Sequence, residues 1–491
     1  MIVKYEDLPA IITMEEAIEA GSYHSWSQNK IETGEVDKVM AAWDPEMVVE
    51  GAMRTGAQEH FYLETHATIA IPSGEDEMKI IASTQNPTLT QLTVAGVLGL
   101  TANKVVVTVK RMGGGFGGKE SRSVPLSAVV ALAAAKTGRP VRLMLDRDED
   151  MAISGWRHPF LGRYKVAFNK EGKVQAADIN LFNNAGWTMD LSFSVMERAM
   201  FHSDNCYKVP HLRVKGHVCK TNLPSNTAFR GFGGPQGMMI VEDWIEKIAR
   251  KLSLEPEEVR RRNFYKENMV THYNQELVNC TIEKCWAECR QLAGYEGLRA
   301  EVAEFNARNR WKKRGVSMIP VKFGIAFTAV HLNQNGALVN VYTDGSVLLT
   351  HGGTEMGQGL HTKMVQVAAH TLGIPHDKIH VMETSTDKVP NTPPTAASAG
   401  SDLNGMAVYE ACKTINSRLE KYKKSNSSGG WDEWVKAAFF DRVSLSSAGF
   451  HATPDIGYDF ATNSGNAFNY FTYGVGCSTV EIDCLTGDHQ V

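Results

Sequence analysis

Apolar residues recur along this chain with two different periods, which predicts strands and helices in mixed order. Residues 104–110 read Lys-Val-Val-Val-Thr-Val-Lys, a β-branched run typical of a strand, and the mostly apolar residues 141–145 predict the next strand. Between them, the apolar spacing over about 125–136 predicts a helix that begins at a proline. A strong amphipathic pattern predicts a helix over about 237–252, and a further helix is expected to begin at Pro256.

The second half of the chain has the same mixed pattern. Two apolar runs within 338–350 flank Thr-Asp-Gly-Ser, which predicts a β-hairpin, and a helix is expected over about 361–372. Residues 270–310 are polar with helical spacing and are interpreted as a connector between two lobes. The sequence Lys-Lys-Ser-Asn-Ser-Ser-Gly-Gly at 423–430 predicts a flexible surface loop.

Both ends of the chain are interpreted as cut, so the sequence is expected to be a fragment. Residues 1–30, with a short helix over Met14–Ala20, are expected to be the tail of a preceding small α/β domain. The chain stops soon after a predicted strand, Ser478–Asp483, with no capping element expected there. The domain prediction is 31–275 for a first domain and 276–491 for a truncated second one.

Composition and charge argue against several classes of protein. Hydrophobic residues make up 43% of the chain and charged residues 22%, as in ordinary globular proteins. The net charge of −4 gives no reason to expect a nucleic acid or an anionic membrane as partner. The N-terminus has no apolar signal segment, and the longest helical apolar run, Ala128–Ala135, is too short to span a bilayer. These features predict a cytoplasmic protein, with the peroxisome as the alternative.

The eight cysteines are scattered and are expected to be reduced. Cys280, Cys285 and Cys289 approach an iron–sulfur spacing, but the second gap is too long and a fourth ligand is missing. Cys285 and Cys289 lie one turn apart on a helix predicted over 281–293, where cysteine acts as a small apolar residue. The structural interpretation is favoured, and the sequence predicts no metal site made of protein side chains.

Three glycine-rich loops, far apart in the sequence, carry the candidate chemistry; they span residues 111–120, 222–237 and 351–361. Glycine lets backbone N–H groups approach a ligand, and Arg230 among the glycines favours an anionic or oxygen-rich group. Gln85 and Gln358 add amides, which both donate and accept hydrogen bonds. Together these residues predict one large cofactor, rich in ring nitrogens and oxygens, that is held from several sides.

Two nucleotide-binding alternatives apply to the first loop. Gly113–Gly118 follows a strand and precedes a helix in the spacing of a dinucleotide fingerprint, but the acidic residue Asp146 lies too far on. With Lys119 the loop also approaches a phosphate-binding P-loop, where a serine or threonine should follow. Glu120 stands there instead, and its carboxylate would repel phosphates. Glu120 is better suited to a neutral, hydrogen-bonding substrate.

Five motifs together resemble one known family. They are Ser83–Asn86, the loops 111–120 and 222–237, Gly352–Gly359, and Pro393–Ser398. In this order they strongly resemble the molybdenum-cofactor portion of the xanthine dehydrogenases, in the molybdenum hydroxylase family, over essentially the whole chain. The resemblance implies an α+β fold: two-lobed molybdenum-cofactor-binding domains of the xanthine dehydrogenase type, with mixed sheets, packed helices and a truncated second lobe.

The resemblance also implies which residues surround a molybdenum–molybdopterin cofactor without coordinating the metal through their side chains; these are Gln85, Phe116, Gly117, Arg230, Gln358 and Ala397. Gln85 would donate a hydrogen bond to the oxo group of the metal, and the backbone at Phe116 and Gly117 would face the metal. Arg230, Gln358 and Ala397 would contact the pterin or the ligands of the metal.

For the substrate, the resemblance implies a purine held between two polar residues and two rings. Glu120 and Arg198 would hydrogen-bond the purine from opposite ends and assist catalysis, since negative charge builds on the ring. Phe232 and Phe327 would sandwich the ring, and Thr328 would contact a polar edge. Residues alone leave other interpretations open: Arg198 as an arginine on a helix surface, and Phe327 as strand core.

The implied reaction is hydroxylation of hypoxanthine to xanthine and of xanthine to urate, by hydroxide attack on a ring carbon with hydride transfer to Mo=S. The family's general base, a glutamate in a Gly-Glu-Pro-Pro context, lies beyond the end of this chain, so turnover is expected only in a full-length parent. That parent is expected to carry FAD and two 2Fe–2S clusters, to pass electrons to NAD or O2, and to form a homodimer. An aldehyde oxidase relative and a truncated, non-catalytic binding protein are the alternatives; the pair Glu120 and Arg198 favours purines.

Overall fold

The computed structural model describes residues 3–25, 29–74 and 76–491. Within these ranges the chain forms strands and helices in mixed order, which confirms the predicted α+β class. The strands are β1 (Lys30–Thr33), β2 (Val48–Thr55), β3 (Ala67–Ser73), β4 (Glu77–Ala82), β5 (Val105–Val109), β6 (Val141–Met144), β7 (Phe160–Phe168), β8 (Val174–Gly186), β9 (His211–Lys220), β10 (Lys312–Ile325), β11 (Gln334–Val341), β12 (Val347–His351), β13 (Ile379–Val381), β14 (Thr384–Ser385), β15 (Ser446–Ala452), β16 (Gly457–Asp459), β17 (Ser464–Asn466), β18 (Tyr470–Asp483) and β19 (His489–Gln490).

The helices lie between these strands. The α-helices are α1 (Met14–Glu19), α2 (Val36–Ala42), α3 (Pro87–Leu98), α4 (Ser123–Thr137), α5 (Arg147–Ile153), α6 (Ser192–Phe201), α7 (Gly234–Leu252), α8 (Pro256–Asn263), α9 (Ile282–Leu292), α10 (Tyr295–Arg308), α11 (Leu360–Leu372), α12 (Gly400–Ser425) and α13 (Trp431–Phe440). Short 3₁₀ helices occupy Pro45–Met47, Ala102–Lys104, Val330–Leu332 and His376–Lys378.

The sheets are mixed, as predicted. Two five-stranded sheets have the orders β1-β9-β8-β7-β2 and β14-β5-β4-β3-β6, beside a four-stranded sheet β13-β12-β11-β15 and a three-stranded sheet β10-β18-β19. Most pairs are antiparallel, but β4 runs parallel to β5, β8 to β9, and β12 to β13. Each parallel pair is joined by a helical crossover, respectively α3, α6 and α11. Parallel strands end at the same edge of a sheet, so the loops that follow them lie together.

Helix α3 shows how sequence fixes such a crossover. The Asn86 side chain accepts from Leu89 N–H and so caps the first turn, where Pro87 occupies a position that needs no free N–H. The helix ends at Gly99, whose φ of 69° is a left-handed conformation that glycine adopts without strain. Helix α3 packs with α4 on β3, β4 and β5 over a small buried core.

The two halves of the chain are joined through a shared sheet. Strand β14 comes from the second half, yet it pairs antiparallel with β5 of the first, Thr384 opposite Val109. At the N-terminus, α1 packs against β8 and β9, and Asn222 exchanges hydrogen bonds with Ile11. The predicted domain bounds 1–30, 31–275 and 276–491 stay a prediction.

Helix α6 lies in the largest apolar core and carries Arg198. The core extends over β7, β8 and β9 and the apolar stripe of α7, in which Val241, Trp244 and Ile248 are completely buried. That stripe has the i, i+3, i+7 spacing which predicted the helix. A second core packs α11, α12 and α13 on β11 and β12.

Most predicted elements are confirmed: β5, α4, β6, α7, α8, the β11–β12 hairpin, α11, α9 and α1 lie where the sequence placed them. The prediction of a flexible loop over 423–430 is wrong in its first part, because α12 continues to Ser425. Buried Leu419 and Tyr422 hold the last turns of this helix against the core. The prediction of a helical connector over 270–310 is wrong at its start, since the first helix of that region begins only at Ile282. A cap at the C-terminus was also missed: β19 pairs with β18, Ile482 opposite His489.

The expectation about the cysteines can also be compared with the structure. All eight cysteines are free thiols, as expected. Across residues 3–25, 29–74 and 76–491, no group of three or more His, Cys, Asp or Glu side chains is arranged to hold a metal ion. In the same ranges, no helix has both the length and the apolar character needed to cross a membrane.

Candidate active site

The three glycine-rich loops surround one cavity of about 700 Å³, to which the segment after β14 also contributes. Most of the predicted site residues line this cavity; they are Gln85, Phe116, Gly117, Glu120, Arg198, Arg230, Phe232, Gln358 and Ala397. Phe327 and Thr328 are not among the residues that line it. The sequence therefore identified residues that folding brings together from both halves of the chain.

Strand direction explains why these residues meet. Gln85 follows β4 and Phe116 lies in the loop after β5, and both strands end at the same edge because they are parallel. The backbone N–H of Gln85 donates to the carbonyl of Lys119 at 2.8 Å, and its carbonyl accepts from Thr395 N–H at 2.9 Å. Gln85 thus ties the first loop to the segment that carries Ala397.

The loop after β5 passes so close to the 222–237 segment that only glycine fits at position 117. Gly117 has a φ of +104°, and a Cβ there would lie 2.6 Å from the carbonyl oxygen of Ala228. Arg230 N–H donates to the carbonyl of Phe116 at 2.8 Å, which joins the two segments. Phe116 itself has a φ of 54°, a conformation that costs a non-glycine residue about 1–3 kcal/mol. The surrounding structure therefore holds this backbone in a strained form at the cavity wall.

Gly117 and Gly357 offer a matched test of that close approach. Both line the cavity with similar positive φ, +104° and +101°, but a Cβ at Gly357 would meet nothing within 4 Å. Gly357→Ala is expected to cost about 1 kcal/mol of unfolding free energy through backbone strain alone. Gly117→Ala is expected to cost about 1–3 kcal/mol more, because Ala228 must move. Urea denaturation of both variants measures this difference, and equal losses would show that the contact with Ala228 is unimportant.

The two glutamine side chains are fixed by the protein in the same way. Gln85 Oε1 accepts from Gly117 N–H at 2.9 Å, and Nε2 donates to Thr395 O at 3.0 Å. Gln358 Oε1 accepts from Met356 N–H at 2.7 Å, and Nε2 donates to Thr354 O at 2.9 Å. Each amide nitrogen carries two hydrogens, so each keeps one donor for a ligand. Both amides therefore present a donor to an oxygen-rich ligand.

Positive charge lies at the rim of the cavity. The guanidinium of Arg230 is exposed, and it forms no hydrogen bond or ion pair with the residues that the structure describes. Lys363, in the first turn of α11, also lines the cavity and donates from Nζ to Ser401 Oγ at 3.1 Å. Two cations beside free amide donors favour an anionic or oxygen-rich group at this end.

Glu120 and Arg198 lie deeper and form a contrasting pair. Burial, together with the negative charge of Asp190, raises the pKa of Glu120 to about 8 against the opposing effect of Arg198. Glu120 is therefore mostly neutral at pH 7, and its carboxyl group forms no hydrogen bond with other described side chains. Burial lowers the pKa of Arg198 only to about 10, so the guanidinium keeps its charge. A carboxylic acid and a cation together suit a neutral heterocycle with polar groups at both ends.

Arg198 is buried, with 2% of its surface exposed, so its interpretation as an arginine on a helix surface is wrong. Nη1 donates to the carbonyl of Gly324 at 2.8 Å, and Nη2 donates to that of Ala326. The guanidinium also lies over the rings of Phe323 and Phe468, with centroid distances of 5.3 and 5.1 Å. Nε has no partner among the described residues, and each terminal nitrogen keeps a second hydrogen. The side chain is thus oriented by the protein and still has donors to offer.

Four phenylalanines line the cavity, namely Phe116, Phe229, Phe232 and Phe323. Phe232 is one of the predicted residues, and Phe323 of β10 lies beside Arg198, with its ring centroid 5.3 Å from the guanidinium. Phe327 is buried behind the wall with Ala399 and Leu403, in line with its interpretation as core. Thr328 donates from Oγ1 to Glu197 Oε2 at 3.2 Å. The substrate roles of Phe232, Phe327 and Thr328 stay predictions.

Sequence reasoning missed several residues of the cavity wall, among them Phe323, Lys363, Ser398 and Ser401. Ser398 is the last residue of the recognised motif Pro393–Ser398, and Lys363 lies two residues after the loop 351–361, so their positions were a usable signal. Phe323 had no such signal, because it lies within the alternating pattern of β10 and its contact with Arg198 arises only on folding.

The structure also argues against a phosphate-binding loop. Lys119 is completely buried, and its Nζ donates to Ser83 Oγ and to the carbonyl of Glu64, both at 2.8 Å. An ion pair with Glu64 Oε2 at 3.3 Å completes its surroundings. The ammonium group therefore cannot reach a phosphate, and the next residue, Glu120, lines the cavity instead.

Comparisons with known proteins agree with this geometry. Two family models, each described as a molybdopterin cofactor-binding domain, match residues 21–264 and 288–491. The chain is 61% identical to the xanthine dehydrogenase/oxidase of Felis catus over 489 residues, and 57% identical to the xanthine dehydrogenase of Calliphora vicina over 491 residues. These alignments cover 99% and 100% of this chain, but only 36% of each relative. The chain therefore spans about a third of the length of these relatives.

A solved structure shows the same fold. The aldehyde oxidoreductase of Desulfovibrio desulfuricans matches with a TM-score of 0.88 and 25% identity, over 99% of this chain and 53% of that protein. Quinoline 2-oxidoreductase of Pseudomonas putida matches with a TM-score of 0.86 at 22% identity, which supports the fold alone.

Proposed function

Since this chain belongs to the family of molybdopterin cofactor-binding domains and is homologous to the xanthine dehydrogenases, we propose that it forms the molybdenum-cofactor and purine site of a longer molybdenum hydroxylase. The proposed reaction is oxidative hydroxylation of hypoxanthine to xanthine and of xanthine to urate. The observation that carries the proposal is the single cavity that joins Gln85, Arg230 and Gln358 with Glu120 and Arg198.

The residues at the rim fit a molybdenum–molybdopterin group. Such a group presents many oxygen acceptors, and the cavity supplies free donors from Gln85, Gln358 and Arg230. A Cβ at Gly115 would lie 2.7 Å from Gln85 Oε1, so a larger residue there would disturb this donor. Ala397 lines the cavity with a φ of 55°, a strained conformation of the kind found where backbone approaches a ligand. When bound, the group supplies the redox chemistry of the hydroxylation.

Glu120 and Arg198 are proposed to bind the purine and to stabilise it during reaction. A protonated Glu120 can donate to a ring nitrogen or an oxygen of the substrate, and its second oxygen can accept. Arg198 would place positive charge where negative charge develops on the ring, in a site from which burial excludes water. Phe232 and Phe323 would contact the ring faces or edges.

The remaining parts of the proposed enzyme lie outside this chain. We propose that the longer protein contributes the general base, FAD and two 2Fe–2S clusters, passes electrons to NAD or O2, and acts as a cytoplasmic homodimer. An aldehyde substrate is the second candidate, favoured by the fold match to an aldehyde oxidoreductase. A non-catalytic binding protein is the third.

Molybdenum and pterin content test the cofactor proposal. On an immunoblot with an antibody to residues 222–237, the protein from its source is expected to be far larger than 54.1 kDa, and the purified native protein is expected to contain about one molybdenum and one pterin per chain. A native chain of 54.1 kDa without molybdenum would contradict the proposal and favour a binding role.

The neutral form of Glu120 predicts a pH dependence. Because its pKa is raised to about 8, Glu120 can donate below that pH and loses its proton as the pH rises through it. We expect kcat/KM for hypoxanthine to fall above about pH 8. In Glu120→Gln the amide stays neutral, so this decline should be absent, although the maximum value is lower. The pH profile with an aromatic aldehyde serves as control. A decline of kcat/KM for hypoxanthine in Glu120→Gln that is identical to that of the wild type would contradict this role of Glu120.

A further inference from the structure

His202 ends helix α6 one turn after Arg198 and lies against β10 without lining the cavity. Its Nε2 lies 3.1 Å from the backbone N of Gly324, and its Nδ1 lies 2.8 Å from the carbonyl oxygen of Arg198. The ring is buried, with 2% of its surface exposed, and packs against Phe323 and Phe468 at centroid distances of 4.8 and 5.3 Å. His202 therefore touches both the residue that would bind substrate and the strand that holds it.

The partners of His202 fix its tautomer. A backbone N–H can only donate, so Nε2 must accept from Gly324 and carries no hydrogen. A carbonyl can only accept, so Nδ1 carries the hydrogen and donates to Arg198. Burial, together with the charges of Arg198 and Lys322, lowers the pKa of His202 to about 3. The imidazole is neutral, and both of its nitrogens are used.

These contacts close a ring of three hydrogen bonds. Gly324 N–H donates to His202, His202 donates to the carbonyl of Arg198, and Arg198 Nη1 donates to the carbonyl of Gly324 at 2.8 Å. Gly324 is itself held closely, since a Cβ there would lie 2.3 Å from the ring of Phe468. The three hydrogen bonds thus fix the end of α6 relative to β10, and this position determines where the Arg198 guanidinium lies.

We propose that His202 is a positioning residue, which sets the Arg198 guanidinium for recognition of the oxygen-bearing edge of a purine. The inference rests on the proposed role of Arg198 in binding the substrate. His202 acts only through Arg198 and β10, so it determines specificity for substrates that need the guanidinium. A substrate without a second polar edge, such as an aromatic aldehyde, does not depend on it.

The test compares His202→Leu, which removes both bonds, with His202→Gln, whose amide can still accept from Gly324. In the full-length holoenzyme, His202→Leu is expected to lower kcat/KM for hypoxanthine about 10- to 100-fold, and kcat/KM for an aromatic aldehyde far less. His202→Gln should lie between His202→Leu and the wild type. His217→Leu, a histidine replacement on β9 outside the cavity, is the matched control and should leave the ratio unchanged. Equal losses for both substrates at unchanged molybdenum content would overturn the proposal.

Two further measurements separate this proposal from the proposed function. Combined with Arg198→Met, His202→Leu should not change the purine-to-aldehyde ratio further, because its effect passes through Arg198; additive losses would overturn the inference. A crystal structure of His202→Leu, or of His202→Gln if the first variant does not fold, should show Arg198 displaced from the Gly324 carbonyl. An Arg198 that keeps its place would also overturn it. A wild-type enzyme without purine activity would instead refute the proposed function.

Discussion

Replacing Arg198 by methionine in the longer enzyme is expected to lower kcat/KM for hypoxanthine about 100- to 1000-fold. The guanidinium is buried and charged, and it is held by the carbonyls of Gly324 and Ala326 with donors to spare. Methionine fills a similar volume but offers no donor and no charge to a purine. Turnover of an aromatic aldehyde should fall far less, since that substrate lacks the edge which Arg198 would bind.

Two controls make the Arg198 result interpretable. Arg198→Lys keeps the charge but cannot reach two carbonyls with a planar fork, so it should give an intermediate loss. Arg250→Met alters an exposed arginine of α7 and should leave both activities unchanged. The melting temperature and molybdenum content of each variant show whether the site is intact. A similar loss for purine and aldehyde would mean that Arg198 supports the fold and does not select the substrate.

The second large effect concerns stability. Lys322→Met in this chain is expected to cost about 3–5 kcal/mol of unfolding free energy, because it leaves the carboxylate of Asp204 buried without its cation. The two groups are 2.8 Å apart and at most 1% exposed, and Tyr265 also donates to Asp204 at 3.0 Å. Burial raises the pKa of Asp204, but the Lys322 ammonium, together with His272, outweighs this and holds it at about 2.

The depressed pKa of Asp204 gives the pair a defined pH dependence. Its contribution is complete above the ordinary value of 3.8 and is lost as the pH falls through about 2, since the folded pKa lies below the unfolded one. Denaturant titrations at pH 7 measure the full effect. Lys421→Met removes an exposed ion pair with Asp441 and should cost less than about 1 kcal/mol. Lys322→Met with Asp204→Asn should be less damaging than Lys322→Met alone, and a loss no larger than that of Lys421→Met would contradict the buried pair's importance.

The ion pair and His202 lie side by side, which explains why β10 matters to the site. Asp204 and His202 follow α6, and Lys322 and Gly324 are two residues apart on β10, so the same helix end and strand are joined twice. The first link stabilises the fold, and the second sets the direction of Arg198. The free energy of unfolding is therefore expected to respond to loss of the ion pair, and the purine-to-aldehyde ratio to loss of His202.

Local pattern was enough to predict most elements and the three loops. The run 104–110 has the apolar pattern of a strand, and the stripe of α7 has that of a helix. Glycines with positive φ mark where a loop must pass close to another segment. Pattern failed where tertiary contacts override polarity, as at 423–425, where buried Tyr422 keeps a polar sequence helical. The C-terminal strand β19 was missed because pairing with β18 is not visible in two residues.

The candidate site was predictable as far as its motifs reach. Gln85, Gly117, Arg230 and Gln358 lie in recognisable loops, and the structure brings them to one cavity. The burial of Arg198 was not predictable from its helix, because the strand that covers it lies more than a hundred residues away. For the same reason Phe323 was missed.

The most direct test is the ratio of kcat/KM for hypoxanthine to that for an aromatic aldehyde, measured on the purified full-length protein. A purine site formed by Glu120 and Arg198 predicts a ratio well above one, with urate as the final product. A ratio well below one would contradict the purine assignment and identify an aldehyde-oxidising relative. Absence of both activities in a protein that contains molybdenum would contradict the catalytic proposal itself.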